Sequence, residues 1–244
     1  MRIAIVTGVS RGLGEALALR LLAEGFRVLG IGRANSARLA GDAYAFAEAD
    51  LADTARVAQC AQEHFGALAR SLPGFAVLVN NAAAVEPAGR LGAVTDAALA
   101  RAIAVNLTAP ALLANAFCRA FPGPDGERRV VNVSSGLAQR TVPGAAHYSV
   151  AKAGLEMLTA ALATDHRDPG FRAISIRPGI IDTGMQAFLR AQSAEALPAV
   201  PMFQAFHDSG QLVPPDVVAR VIVDRLVLAP VEHGRTYSYQ ELAA

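Results

Sequence analysis

The opening of the chain restricts its possible folds more than any other feature. Residues 3–6 form a short apolar run, residues 8–14 form a glycine-rich turn, and residues 15–24 carry a helical pattern closed by Gly25. A second apolar run at 27–31 completes a strand–helix–strand unit. Glycines let the backbone approach a ligand, and the free N–H groups that begin the helix favour a phosphate. The unit predicts a nucleotide-binding α/β protein, with a plain glycine-rich turn as the alternative.

The end of the second predicted strand distinguishes between two nucleotides. NAD-binding units place an acidic residue about 20 residues after the glycines, where it holds the ribose 2′-hydroxyl. Here Arg33 stands 19 residues after Gly14, and the next acidic residue is Asp42. A guanidinium suits a 2′-phosphate, and Arg11 in the turn is a second candidate for it. We therefore predict NADP(H), although each arginine alone is also compatible with a solvated surface side chain.

The rest of the chain alternates apolar strand patterns with helical patterns. Strands are predicted at 45–49, 75–79, 129–133, 173–176 and 235–239, and helices at 55–72, 91–113, 148–164 and 217–228. Near-continuous apolar strands are typical of a parallel sheet covered on both faces. We predict one Rossmann domain over residues 1–244, with a doubly wound parallel sheet of about seven strands flanked by helices. Residues 183–213 lack strong periodicity, which suggests a short helical lid over a pocket.

Composition excludes several classes of protein. The net charge is +1 without a long charge run, which argues against nucleic acid as a partner. No apolar run reaches the roughly 18–20 residues of a membrane span, and the chain enters a strand pattern without room for a signal peptide. We expect a cytoplasmic protein away from membranes. Cys60 and Cys118 lie in helical patterns and are interpreted as reduced core residues, with no disulfide and no metal site.

The stretch from Tyr148 to Lys152 carries the first sign of chemistry. The two residues lie four apart in a helical pattern, so their side chains share one face. A phenol with a reference pKa of about 10 is a poor proton donor at neutral pH. A nearby cation lowers that pKa and gives a usable acid or base. The alternative is an ordinary pair on a solvated helix.

Polar residues at strand ends and inside one helix allow two interpretations each. Asp50 follows the third strand, where it either accepts a hydrogen bond from an adenine amino group or caps the next helix. Asn80 and Asn81 end the fourth strand, where they pair with the backbone across the sheet or contact a ligand. Asn106 inside a helix is unfavourable unless it bonds the backbone or has a functional role. Residues 122–126 are predicted to form a surface loop.

Taken in order, the motifs resemble the classical short-chain dehydrogenase/reductase family from end to end. Ser135 lies 13 residues before Tyr148, which is the family's usual spacing. The matching pieces are Thr7-Gly8-Val9-Ser10-Arg11-Gly12-Leu13-Gly14, Asp50, Asn80-Asn81-Ala82, Asn106, Ser135, Tyr148, Lys152, and Pro178-Gly179 followed by Thr183. Each motif is weak alone, and their order carries the assignment.

The resemblance implies the roles of the site residues. Tyr148 would donate a proton to a carbonyl oxygen that Ser135 holds by a hydrogen bond. Lys152 would lower the pKa of Tyr148 and hold the nicotinamide ribose, and Asn106 would position a water that links Lys152 to solvent. Contacts to NADP(H) are expected from Gly8, Ser10, Arg11, Gly12, Leu13, Gly14, Arg33, Asp50, Leu51, Asn81, Ala82, Tyr148, Lys152, Gly179, Ile181 and Thr183.

Within the family, four stretches look like sepiapterin reductase and its bacterial benzil reductase relatives. They are residues 106–108, 120–122, 130–135 and 178–186. Sepiapterin reductases place an aspartate in the last strand to anchor the pterin, and by alignment on the glycine at 234 that position is Ser238 here. A neutral hydroxyl cannot supply a charged acceptor for the pterin, so the sequence favours the benzil reductase interpretation over the sepiapterin reductase interpretation.

Two further features qualify the site. The family's Asn-Asn-Ala-Gly motif ends in Ala83 here, which narrows the space beside the nucleotide without touching the chemistry. Apolar residues in the predicted lid suit an aromatic dicarbonyl compound, or else pack as ordinary core. They are Met185, Met202, Phe203 and Phe206.

The sequence therefore favours an NADPH-dependent carbonyl reductase that acts on a ketone or 1,2-diketone of the benzil type. A sepiapterin-type pterin side-chain reductase, a non-catalytic NADP-binding sensor and an oxidative NAD enzyme are the alternatives. Family members assemble through helices that here span about 95–120 and 149–165, so a homodimer or homotetramer is expected.

Overall fold

Seven parallel strands form the centre of the described chain in the computed structural model, which covers residues 1–123 and 126–244. They are β1 (Arg2–Thr7), β2 (Arg27–Gly32), β3 (Tyr44–Glu48), β4 (Phe75–Asn80), β5 (Glu127–Val133), β6 (Phe171–Arg177) and β7 (Thr236–Ser238). Their order is β3-β2-β1-β4-β5-β6-β7. The order reverses between β1 and β4, so the carboxyl ends of these strands flank a crevice. The predicted loop at 122–126 includes Pro124 and Asp125, which lie outside the described residues.

Helices connect the strands and cover both faces of the sheet. They are α1 (Gly12–Ala23), α2 (Thr54–Ala69), α3 (Asp96–Ile103), α4 (Ala109–Ala120), α5 (Ala146–Asp165), α6 (Gly184–Arg190), α7 (Val200–Asp208), α8 (Pro215–Ile222) and α9 (Tyr239–Ala243). A π-helical segment at 104–108 joins α3 to α4, another at 223–228 continues α8, and a 3₁₀ turn spans 136–138.

Alternation along the strands divides the core into two layers. In β4, Val77 and Val79 pack with α1, α8 and the 223–228 segment on one face. Ala76 and Leu78 face the opposite layer, which α2 and α4 cover. Because successive strand side chains point to opposite faces, a sheet buried on both sides requires the apolar runs seen in the sequence. The predicted doubly wound parallel sheet is confirmed.

Several element boundaries differ from the sequence prediction. The helix predicted from residue 91 begins at Asp96, because the Thr95 hydroxyl caps it by accepting from the N–H of Ala98 at 3.3 Å. The predicted final strand ends at Ser238, whose hydroxyl accepts from the N–H of Glu241 at 3.3 Å and starts α9. In both places a side-chain oxygen satisfies a helix N–H group, which apolar periodicity does not reveal.

A chain of buried polar side chains crosses the sheet. Asn80 Nδ2 donates to Asn132 Oδ1 at 2.9 Å, and Asn132 Nδ2 donates to Thr159 Oγ1 at 2.8 Å. The hydroxyls of Thr159 and Ser175 lie 2.6 Å apart. All four residues are at most 2% exposed. Since buried polar groups are costly unless paired, this chain fixes β4, β5 and β6 against α5, and Asn80 takes the structural role.

One helix is long and apolar enough to span a membrane by length and composition alone. The continuous helix at 96–120 has 25 residues, and its most apolar window has a mean hydropathy of 1.6. A third of that window is buried, and Leu113 and Phe117 of α4 belong to the core layer that α2 also covers. Charged residues such as Arg101 interrupt its apolar sequence, so the helix is compatible with the expectation that no apolar run reaches 18–20 residues.

Candidate active site

The glycine turn is shaped by contacts that exclude side chains. Gly8 and Gly12 have φ of +75° and +62°, a region that favours glycine. A Cβ at Gly14 would lie 2.1 Å from the Gly8 carbonyl oxygen. Arg11 precedes α1 with extended backbone and makes no side-chain cap, so the first N–H groups of the helix lack a side-chain acceptor. A tight cradle before an uncapped helix fits a nucleotide phosphate.

The end of β4 is fixed beside this turn by a single hydroxyl. Thr7 Oγ1 accepts from the N–H groups of Asn81 at 3.0 Å and Ala82 at 2.9 Å. Asn81 Nδ2 in turn donates to the Thr7 carbonyl oxygen at 2.9 Å. A Cβ at Gly8 would lie 2.9 Å from Ala82 Cα, so the two strand ends are in close contact. Asn81 and Ala82 therefore line the crevice, and their contact with a nucleotide stays a prediction.

The two arginines predicted to face a 2′-phosphate are both exposed. Arg33 follows β2, and Arg11 lies in the glycine turn close to Gly184 at the start of α6. Neither makes an ion pair within residues 1–123 and 126–244. Ser10 is exposed in the same turn. The side chains are thus available to an anion at the edge of the crevice.

Asp50 does not cap the following helix, which corrects one of its two interpretations. The cap is Asp53, which accepts from the N–H of Arg56 at 3.0 Å. Asp50 instead accepts from the N–H of Ala52 at 3.0 Å and pairs with Arg101 at 2.8 Å. Burial raises the pKa of Asp50, but these two partners and the charge of the nearby Arg33 together lower it more, so Asp50 stays a carboxylate. The neighbouring Leu51 points into the core.

Three side chains predicted to act together are adjacent at the carboxyl end of β5. Tyr148 and Lys152 lie on α5 and are 6% and 1% exposed. Lys152 Nζ donates to the Val133 carbonyl oxygen at 2.8 Å and lies 5.6 Å from the centroid of the Tyr148 ring. Ser135 begins the 3₁₀ turn after β5, and its hydroxyl is close enough to the phenol to lower the pKa of Tyr148. The same hydroxyl caps the turn by accepting from the N–H of Leu137 at 3.2 Å.

The pKa of the phenol moves in the opposite direction from the one expected. Burial raises the pKa of Tyr148 to about 12, and the interaction with Ser135 lowers it only in part. Burial also lowers the pKa of Lys152 to about 8. The expectation that Lys152 brings the pKa of Tyr148 down is wrong for the protein alone, because desolvation outweighs a cation that is itself desolvated. The phenol keeps its proton across the neutral range.

Asn106 lies within the π-helical segment and is fully buried. Its Nδ2 donates to the carbonyl oxygens of Ala84 at 2.6 Å and Ala102 at 2.8 Å, and its Oδ1 accepts from the N–H of Ala84 at 3.1 Å. The backbone pairing offered as one interpretation is therefore present. Both amide donors are used, so a water could reach the side chain only at Oδ1. π-Helical turns are frequent at functional sites.

A half-buried ion pair that sequence analysis missed joins three segments of the site. Glu156 lies one turn after Lys152 and accepts from Arg177 twice, at 2.8 Å and 2.6 Å. Ser134 donates to the same carboxylate at 2.6 Å. Ser134 precedes Ser135, and Arg177 directly precedes the Pro178-Gly179 turn. The signal was available in the spacing of Glu156 from Lys152, but an isolated glutamate on a helix has no distinctive pattern.

His147 is a second residue that sequence analysis missed. It precedes Tyr148, is 3% exposed, and its Nε2 lies 3.3 Å from the Val85 carbonyl oxygen. Burial lowers the pKa of His147, so it is neutral near pH 7. The contact ties the start of α5 to the loop that follows β4.

Two short helices occupy the segment predicted to form a lid. They are α6 and α7, and a parallel bridge between Ile181 and Val213 joins the two ends of the segment. Tyr148 belongs to an apolar cluster whose other buried members are Val85, Ala145, Leu189, Leu197, Val200 and Phe203. Met185, Met202 and Phe206 pack against it. The acid therefore lies under an apolar surface, and whether these helices move stays a prediction.

The loop after β6 completes the crevice. Gly179 has φ of +77° and packs near Tyr239 of α9. A Cβ at Gly12 would lie 3.3 Å from Thr183 Cγ2, so the Thr183 side chain faces the glycine turn. Ile181 is buried with the core. The predicted nucleotide contacts of this loop are therefore close to those of the turn.

Comparison with known proteins agrees with this arrangement. Residues 2–194 match the family model for short chain dehydrogenases. The benzil reductase ((S)-benzoin forming) of Bacillus subtilis (strain 168) is 31% identical over 243 residues, covering 99% of each chain. The sepiapterin reductase of Meriones unguiculatus is 33% identical, covering 79% of each chain. A blue fluorescent protein from a metagenomic library in complex with NADPH is 28% identical, with a TM-score of 0.76 over 97% of this chain and 95% of that one.

A doubly wound sheet with a glycine cradle, a buried tyrosine–lysine pair and a neighbouring serine defines an oxidoreductase that binds a nicotinamide nucleotide. The chain belongs to the short-chain dehydrogenase/reductase family.

We predict that the Glu156–Arg177 pair stabilises the site more than an exposed pair does. In a double-mutant cycle of Glu156→Gln and Arg177→Gln, we expect a coupling of about 1–3 kcal/mol in the free energy of unfolding, because the pair is doubly bonded and mostly buried. Urea unfolding measures it. The matched control is Arg56–Glu63 on α2, whose more exposed side chains should couple more weakly. Equal coupling in the two cycles would contradict the prediction.

Proposed function

We propose that the protein is an NADPH-dependent carbonyl reductase that converts a ketone or a benzil-type 1,2-diketone to an alcohol or hydroxy ketone. One observation carries the proposal: Ser135, Tyr148 and Lys152 meet at the carboxyl end of β5, under an apolar cluster and beside the crevice. The hydroxyl, phenol and ammonium are the groups that carbonyl reduction requires for orientation, proton donation and charge compensation.

The chain's residues account for the movement of the proton. When bound, the reduced nicotinamide supplies a hydride to the carbonyl carbon. Tyr148 donates its proton to the carbonyl oxygen as negative charge develops there. Ser135 donates a hydrogen bond to the same oxygen, which in comparable sites contributes about 3 kcal/mol in the transition state. The apolar cluster excludes water, and this strengthens both contacts.

Lys152 supports the phenol after the proton has left. Its ammonium lies beside the ring and offsets the charge of a phenolate. It also holds the nicotinamide ribose in this proposal. A water near Asn106 Oδ1 connects Lys152 to solvent, so that Tyr148 regains its proton between turnovers.

The preference for NADPH rests on the charges at the edge of the crevice. Arg33 and Arg11 offer guanidinium groups, and no carboxylate follows β2 at the position where an NAD enzyme needs one. The structural relative in complex with NADPH supports the same choice.

The benzil-type substrate is supported by the relatives and by the lid. Curated relatives that cover nearly all of this chain are benzil reductases, and the cluster over Tyr148 is apolar. A sepiapterin-type activity is the second candidate, supported by the relative from Meriones unguiculatus. Against it, the Ser238 hydroxyl caps α9 and donates to Glu241 Oε2 at 3.1 Å, while Arg235 pairs with the same carboxylate at 3.2 Å. No free carboxylate is left at this position for a pterin.

A cytoplasmic location is part of the proposal.

We predict that Tyr148→Phe lowers kcat by at least about 100-fold while NADPH still binds, because the variant removes only the donated proton. NADPH oxidation is followed with benzil, other 1,2-diketones and sepiapterin, and NADPH binding by fluorescence. The matched control is Tyr44→Phe, a phenol at the start of β3 that should leave turnover intact. Near-normal turnover by Tyr148→Phe would show that Tyr148 is not the acid. If the wild type binds NADPH but reduces none of the compounds, the result would favour the non-catalytic NADP-binding sensor.

We predict that reduction weakens as the pH rises through about 8. Below this value Lys152 is charged, and above it the ammonium loses its proton, because burial has lowered its pKa from 10.5 to about 8. The profile of kcat/KM for NADPH between pH 6 and 10 measures it. In Lys152→Arg the charge persists, so any remaining activity should lose this fall. A flat wild-type profile would show that the charge is not needed.

We predict that Arg33→Asp shifts the cofactor preference toward NADH. The variant replaces a partner of the 2′-phosphate with a carboxylate that accepts from a 2′-hydroxyl. The ratio of kcat/KM for NADPH to that for NADH should fall by at least about 10-fold, the equivalent of about 1.4 kcal/mol. Arg119→Asp, an exposed arginine on α4, makes the same charge change elsewhere. An unchanged ratio in Arg33→Asp would mean that Arg33 is only a solvated side chain, and it would favour the NAD interpretation again.

We also propose a homodimer or homotetramer that uses the outer face of α5. Val150 and Met157 lie two turns apart and are 62% and 69% exposed. We predict that Met157→Glu shifts the mass in light scattering toward the 25.3 kDa of one chain. Leu72→Glu changes an 87% exposed leucine outside this face and should leave the assembly intact. A monomeric wild type would overturn the proposal.

A further inference from the structure

A second cavity lies at the amino-terminal ends of β5 and β6, on the opposite edge of the sheet from Tyr148. Its volume is about 210 Å³. Its lining includes three arginines, Arg128, Arg129 and Arg172, and the apolar residues Leu228, Pro230 and Val231. The proposed reaction does not use this combination of cationic and apolar groups.

Arg128 is already neutralised. It is 6% exposed, its Nη2 pairs with Asp168, and its Nη1 donates to the Phe121 carbonyl oxygen at 3.2 Å. It therefore forms the floor of the cavity without adding net charge.

Arg129 and Arg172 are register partners on neighbouring parallel strands, so their side chains leave the same face of the sheet. Like charges at such positions repel each other unless an anion lies between them. Arg129 Nη1 donates to three carbonyl oxygens at the end of the 223–228 segment, at 2.8, 2.8 and 3.0 Å. Its Nε has no hydrogen-bond partner among the described residues.

The carboxylates near the cavity are one fewer than its guanidinium groups. Glu127 Oε2 is 3.9 Å from Arg129 Nη2, and its side chain is 68% exposed. Arg172 makes no ion pair with any residue in 1–123 or 126–244, and its Nη1 donates only to the Phe171 carbonyl oxygen at 2.7 Å. Three guanidiniums against Asp168 and Glu127 give a net charge of +1. A single negative charge balances the cavity, whereas a dianion would reverse its sign.

We propose that this cavity binds a small monocarboxylate with a short apolar tail. The carboxylate lies against Arg172, whose planar guanidinium has only Nη1 bonded to a carbonyl oxygen and so keeps paired N–H donors on its other nitrogens. Arg129 adds positive charge beside it, because its Nη1 is already bonded to carbonyl oxygens and its Nε is fully buried. The tail packs against Leu228 and Val231. Burial is the main cause that lowers the pKa of Arg129, Glu127 raises it, and the neighbouring Arg172 lowers it further, and only this last contribution is repulsion that an anion would relieve.

A ligand that binds only the folded chain raises its unfolding temperature. The full-length protein with saturating NADP⁺ is heated in sodium butyrate, sodium acetate or sodium chloride at equal ionic strength. At ten times Kd, butyrate should raise the unfolding temperature by about 3–6 °C over chloride. Acetate should act less than butyrate, because it lacks the tail.

Variants locate the effect. Arg172→Gln should abolish the butyrate response and Arg172→Lys should keep part of it. Arg27→Gln is the matched control, because it removes an exposed arginine from the start of a strand on the same edge of the sheet, and its response should stay intact. Leu228→Glu, at a residue that is 38% exposed, places a carboxylate beside the cavity and should remove the response even if Arg172→Gln does not fold.

Three results would overturn the proposal. They are an equal butyrate response in Arg172→Gln and Arg27→Gln, no difference between butyrate and chloride, and a larger response to phosphate than to butyrate. The readout is stability, so it is independent of whether the protein reduces benzil.

Discussion

The hydrogen bond from Lys152 to the last carbonyl of β5 is the contact on which the site depends. Lys152 is almost fully buried, and a buried ammonium is costly unless its donors are satisfied. The Val133 carbonyl satisfies one donor at 2.8 Å and in doing so fixes α5 against the sheet. Because Ser135 follows Val133 by two residues and Tyr148 precedes Lys152 by one helical turn, this one bond places the hydroxyl, the phenol and the ammonium together.

Other polar contacts also fix α5 against the sheet. The chain from Asn80 to Ser175 crosses three strands and reaches α5 at Thr159. Glu156, one turn earlier, receives Arg177 from the end of β6. α5 is thus held by buried polar groups along its inner face, where apolar packing alone would allow it to slide. Directional bonds fix positions that dispersion forces do not, and a proton transfer needs such positions.

Much of the architecture follows from the sequence, and the limits have physical causes. Apolar runs predicted the strands, because parallel strands that are covered on both faces do not alternate with polar residues. The glycine turn after the first run predicted the crevice. Tyr148 and Lys152 were found from their spacing along one helix, and Ser135 was found from the resemblance to the family's motif order. Glu156 and Arg177 were missed because they are distant in sequence and meet only after β6 pairs with β5.

The pKa of the phenol could not be predicted from the sequence either. The spacing of Tyr148 and Lys152 places a cation nearby, but it does not reveal how deeply both groups are buried. Desolvation by the lid cluster decides the direction and raises the pKa of Tyr148 to about 12. A raised pKa keeps the proton on the phenol but makes the phenol a weaker donor, whereas oxidation of an alcohol needs the phenolate as a base. In the protein alone the phenol is therefore in the protonated form that reduction starts from, and bound nucleotide and substrate have to bring its pKa nearer to neutral for efficient transfer of the proton in either direction.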